Sequence, residues 1–125
     1  MHLPKLIAAV VFLLICGCTT TETSRIITPE TAALADTVTT QIVLNQGGRE
    51  LNPLGVSGVL VSKGLYLFVI RPELSEGERA RADRVATSAW MGAAANNAVQ
   101  LIFPFVPLVG IVIGVLVGRE IYLRY

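Results

Sequence analysis

Two opposite charges stand inside long apolar stretches of this chain: Asp36 within AALADTVTTQIVLNQ, and Lys63 within LGVSGVLVSKGLYLFVI. Charges held away from water normally pair or face a water-filled space. These residue types therefore admit two chemistries: a buried ion pair, or a relay moving a proton or ion through Asp36, Glu50 and Lys63. Asp36 precedes Gly47 by eleven residues and Lys63 follows Pro53 by ten. In helices those distances are roughly 16 Å and 15 Å, so the two groups reach similar depth if the segments fold back on one another. Thr40, one turn beyond Asp36, shares its face and adds a hydroxyl to the same network. An enzymatic option is a Ser–Lys pair using Ser57 or Ser62 with Lys63, but adjacent Ser62 and Lys63 point to different helix faces. The only histidine is His2. Ser–His, Cys–His and His-ligated metal chemistry are thereby removed from the segments that follow. The expectation is a protein that is not an enzyme and uses no cofactor and no metal.

The elements that must position these residues are all helical. Of 125 residues, 53% are hydrophobic and 15% charged, where an ordinary domain carries about 25% charge. A net charge of +1 offers no field for nucleic acid. Thr28-Pro29-Glu30 reads as a helix start, with Thr as cap, Pro at the first position and Glu at the positive dipole end; Gly47-Gly48 ends that helix. Asn52-Pro53 repeats the start signal for a second apolar helix, giving a helical hairpin over 29–70. Ser75-Glu76-Gly77-Glu78 has the capping-box pattern and opens a charged-start helix over 75–103. Pro104 and Pro107 break it, and a C-terminal helix follows over 104–123. The implied fold is all-α, a small helical membrane bundle over 29–125, behind a linker over 19–28.

Gly110, Gly114 and Gly118 recur every four residues within an apolar run, which puts a side-chain-free strip on one helix face. It suits either homodimerisation or packing against this chain's own helices, with Ala89, Ala93 and Asn97 of the third helix as complementary small residues. Asn96 and Gln100 share a face and are expected to hydrogen-bond to a neighbouring helix. Trp90, Tyr122 and Tyr125 read as interfacial anchors.

At the N-terminus, Lys5 and the apolar run Leu6–Cys16 suit an export signal, being too short to span a bilayer. Ile15-Cys16-Gly17-Cys18 resembles a bacterial lipobox. That resemblance implies a signal over 1–18, lipidation of Cys18 and a mature N-terminus on the periplasmic side. Asp36, Thr39-Thr40, the turn Gly48-Arg49-Glu50-Leu51-Asn52-Pro53 and Lys63 resemble an uncharacterised family of small prokaryotic helical membrane proteins. This second resemblance covers about residues 32–70 and implies a compact multi-helix membrane domain, with no activity attached.

The positions of the arginines do not agree with four crossings from an external Cys18. Arg71, Arg79, Arg81, Arg84, Arg119 and Arg124 would all fall outside, against the positive-inside rule. Taken together, the residues lead to an inner-membrane lipoprotein that binds partners through small-residue faces. The partners implied are membrane lipid and either a second copy or another membrane protein. A small carrier or ion-conducting element using Asp36 and Lys63 is the alternative.

Overall fold

A computed structural model describes residues 27–48 and 55–125. Four helices make up the bundle. Helix α1 is Pro29–Asn45. Helix α2 begins as Gly55–Leu65, continues through a π-helical turn at Tyr66–Ile70 and ends in the single α-turn Arg71–Glu73. Helices α3 and α4 are Glu76–Ile102 and Pro107–Arg124.

The starts follow from side chains that satisfy amides the helix cannot use itself. At α1 the Thr31 amide donates to Thr28 Oγ1 (3.3 Å) and the Thr28 amide donates to Thr31 Oγ1 (2.9 Å), a capping box with Thr in the position usually held by Glu. Thr28→Ala is expected to cost about 1 kcal/mol, measured as a shift in urea midpoint. At α3 the Ser75 amide donates to Glu78 Oε2 at 3.1 Å. Gly47 ends α1 at φ +82°, a left-handed conformation that side chains other than Asn and Asp resist. The end of α2 is closed from outside: Arg79 donates to the carbonyls of Arg71, Pro72 and Leu74.

Helix α3 is the centre, packed along its length by α1 and α4. Its buried stripe runs Asp83, Thr87, Met91, Ala95, Ala98, steps of three and four that keep to one helix face. Against it, α1 buries Ala32, Ala33, Asp36, Thr39 and Val43. The contact with α4 is made by backbone. A Cβ on Gly114 would stand 2.6 Å from the Gly92 carbonyl oxygen, one on Gly92 2.7 Å from that of Gly114, and one on Gly118 2.9 Å from that of Ser88. The glycine strip is thus occupied within the chain rather than offered to a second copy. Its partners are Ser88, Gly92 and Asn96, the face one residue round from Ala89, Ala93 and Asn97. Gly114→Ala is expected to lose about 1–3 kcal/mol, because a carbonyl cannot step aside. Gly64→Ala meets nothing within 4 Å and is expected to gain up to about 1 kcal/mol from helix propensity. Paired thermal melts of the two variants check both signs.

No described helix is long and apolar enough to cross a membrane. In α4 the apolar run 107–118 is about 18 Å long, short of a hydrocarbon core of about 30 Å, before Arg119 and Glu120 intervene. The apolar part of α2 before its π-turn is eleven residues and contains Lys63. Helix α1 carries Glu30, Asp36 and four threonines within its span, and α3 is charged through its first turns. This corrects the expected membrane bundle over 29–125, its inner-membrane location, its lipid and membrane-protein partners, and the carrier or ion-conducting alternative. The four-helix all-α architecture stands without them. Cys18 and the lipobox lie outside the described residues, as does Glu50.

Candidate functional site

Two clusters of interior polar groups fasten α2 to the rest of the bundle. In the first, Lys63 Nζ stands 2.7 Å from Asp36 Oδ2, with Asp36 5% and Lys63 4% exposed. The ammonium has three hydrogens to give. Besides Asp36 it donates to Thr37 Oγ1 at 3.1 Å and to the Ala33 carbonyl at 3.4 Å. Asp36 Oδ1 accepts from Thr40 Oγ1 and from Asn97 Nδ2, both at 3.4 Å. Asn97 also donates to Thr40 Oγ1 at 2.9 Å and Thr39 Oγ1 at 3.3 Å. The cluster therefore ties α1, α2 and α3 together. The ring centroid of Trp90 lies 6.0 Å from the Lys63 amine, at the limit of a cation–π contact.

Asn97, on the α1-facing side of α3, is the amide that joins this network. Asn96 Oδ1 is buried with no hydrogen-bond partner among the described residues, close to where a Gly110 Cβ would be. Trp90, expected as an interfacial anchor, packs edge-on against Tyr66, ring centroids 5.8 Å apart. Tyr122 lies under the Arg84 guanidinium at 5.6 Å.

The second cluster centres on Asp83, 6% exposed. Tyr66 donates its hydroxyl to Asp83 Oδ1 at 2.7 Å; Arg71 donates through Nε to Oδ1 at 2.8 Å and through Nη2 to Oδ2 at 3.0 Å. Arg71 also pairs with Glu30 at the head of α1. Hydrogen bonds to Asp83 hold the Arg71 guanidinium above its ordinary pKa. Burial alone would raise the Glu30 carboxyl, but its own amide, Thr28 and Arg71 together hold it below the ordinary carboxylate range. Tyr125, the last residue, reaches the same neighbourhood. Burial pushes its phenol up, opposed by the Thr87 hydroxyl and reinforced by the Asp83 carboxylate.

Burial, and then the hydrogen bond to Asp83, raise the Tyr66 phenol well above its usual pKa. The folded state thus holds that proton more tightly than the unfolded chain. Its contribution is complete below about pH 10 and is lost as pH climbs towards the folded value. Melting temperature is expected to fall more steeply above about pH 10 in the unaltered protein than in Tyr66→Phe, read from melts between about pH 8 and 11.

Sequence reasoning missed the Asp83 cluster. Its signal was present: Asp83 lies four residues before Thr87 and eight before Met91, in line with the apolar stripe, although its neighbours in ERARADR mark a solvated turn.

Catalysis at Lys63 would need space beside the amine. The void lined by Thr37, Thr40, Gln41, Val56, Val59, Leu60 and Lys63 is about 10 Å³, no more than one water occupies. Ser62 donates to the Val59 carbonyl at 2.8 Å, which turns its hydroxyl to its own helix. Among the described residues no three His, Cys, Asp or Glu side chains gather to hold a metal ion. Two open, largely apolar grooves flank α3, about 670 Å³ on the α2 side and about 560 Å³ on the α4 side.

No protein family, curated protein or solved structure matches the chain. The resemblance to small helical membrane proteins over 32–70 therefore gains no support from relatives, and the absence of a spanning helix removes the domain it implied.

Proposed function

We propose that the protein is a non-enzymatic helical module, and that its buried ionic residues hold α2 in place rather than act on a substrate. One observation carries this reading: every hydrogen of the Lys63 ammonium has an acceptor, and the adjoining void is about 10 Å³. A catalytic amine or base must reach a reacting atom at about 3 Å. Here those positions are filled by Asp36, Thr37 and Ala33. Neither groove beside α3 is lined by Asp36 or Lys63.

The test uses the chain's lysine content, which is Lys5 and Lys63 alone. Native protein is treated with formaldehyde and cyanoborohydride and mapped by peptide mass spectrometry. Lys63 is expected to resist methylation in the native protein and to react once denaturant is present. Native-state modification of Lys63 at a rate like that in denaturant would show an accessible amine and overturn the architectural reading.

A further inference from the structure

The π-helical turn Tyr66–Ile70 is explained by neither helix propensity nor burial. Phe68 is 79% exposed and Val69 56%, so apart from Tyr66 the turn is not kept for what its own side chains pack against. Its effect is on register. An α-helix advances about 100° per residue, which would set Lys63 and Arg71, eight residues apart, about 80° apart around the axis. Tyr66 and Arg71, five apart, would differ by about 140°. A π-turn bonds residue i+5 to residue i in place of i+4, and here the Arg71 amide donates to the Tyr66 carbonyl. One extra residue is absorbed. Lys63 and Arg71 are then offset like residues seven apart, about 20°, and Tyr66 and Arg71 like residues one α-turn apart. The contacts need that alignment: Lys63 on Asp36, with Tyr66 and Arg71 meeting on one oxygen of Asp83.

We infer that Tyr66–Ile70 is a one-residue register insertion that allows both ion-pair clusters to close at once, making the turn the coupling device between them. The inference goes beyond the architectural reading of Lys63, which concerns the reactivity of one amine and not the register of α2. If the extra residue leaves the turn while the chain keeps its length, everything upstream rotates by about 100° and Lys63 is carried off Asp36.

Removing one exposed residue from the turn should convert it to plain α-helix with every contact kept. Three variants of the full chain test this: deletion of Phe68, insertion of one alanine after Phe68, and Phe68→Ala as a length-preserving control. The readouts are melting temperature, Lys63 methylation and hydrogen exchange at the Arg71 amide. The deletion is expected to melt at or above the parent temperature, with Lys63 still protected and the Arg71 amide still slow. The insertion is expected to melt at least about 10 °C lower with Lys63 reactive, and Phe68→Ala to match the parent. A deletion that melts as low as the insertion, fails to fold or exposes Lys63 overturns the inference. Should Lys63 be reactive in the unaltered parent, the architectural reading fails instead, and the register inference is then decided by the melts and the Arg71 amide.

Discussion

Lys63→Met is expected to lose about 3–5 kcal/mol of stability, because it leaves the Asp36 carboxylate buried without its counter-charge. Methionine fills the volume of the lysine stem, so little of that loss is a cavity effect. What remains around Asp36 is Thr40 and Asn97 at 3.4 Å, two long neutral contacts in place of an ammonium at 2.7 Å. Domains are stable by only about 5–15 kcal/mol. The single substitution should therefore bring the protein to the edge of unfolding at ordinary temperature, seen as a large drop in urea midpoint. A change below about 1 kcal/mol would mean that water already reaches the pair.

Arg71→Met should follow at about 3 kcal/mol, near the lower end of the same range. It strips Asp83 of both guanidinium bonds and leaves the Tyr66 hydroxyl as its remaining donor in the cluster. The Arg71 side chain is 27% exposed while that of Asp83 is 8% exposed; water can replace the cation in part but cannot fully reach the anion. The link to Glu30 adds little, since that carboxylate is half exposed and surface pairs contribute about 0–1 kcal/mol. The loss should be local as well as global. Helix α2 approaches the bundle less closely than α1 and α4 approach α3, and is fastened by long side chains. Hydrogen exchange over 55–73 is expected to accelerate before exchange in the buried stripe of α3. Uniform acceleration of both would contradict that order.

Much of the architecture can be read from local chemistry. Thr28-Pro29, Ser75 with Glu78, Gly47 and the two prolines at 104 and 107 act within one turn of themselves, so their effect needs no knowledge of tertiary structure. The spacing of Asp36 and Lys63 from the turn likewise depends only on helix rise. Three features were not legible. Asp83 was hidden by its charged neighbours, since a run with four charges in six residues looks solvated whichever of them turns inward. The π-turn has no residue signature, being set by two contacts far apart in sequence. The partner face of the glycine strip depends on how α3 is rotated about its axis. That rotation is decided by Asp83, Thr87 and the alanines together, and a shift of one residue exchanges Ala89, Ala93 and Asn97 for Ser88, Gly92 and Asn96.

The membrane reading failed for a related reason. Averaged over the chain, the apolar fraction suggests spans, but crossing requires about 20 predominantly apolar residues in one rod. Here Lys63 and the π-turn divide the second segment, and Arg119 and Glu120 shorten the last. Leu108, Val112, Val115 and Leu116 remain exposed on α4 without making a span.

A double-mutant cycle decides whether Asp36 and Lys63 act on each other as one architectural unit. Urea unfolding would be measured for the parent, Asp36→Asn, Lys63→Met and the double variant. The double variant is expected to regain most of what Lys63→Met loses, because no charge is then left buried, with a coupling of at least about 2 kcal/mol. Additive losses, with the double variant less stable than the parent by the sum of the two single losses, would contradict that coupling.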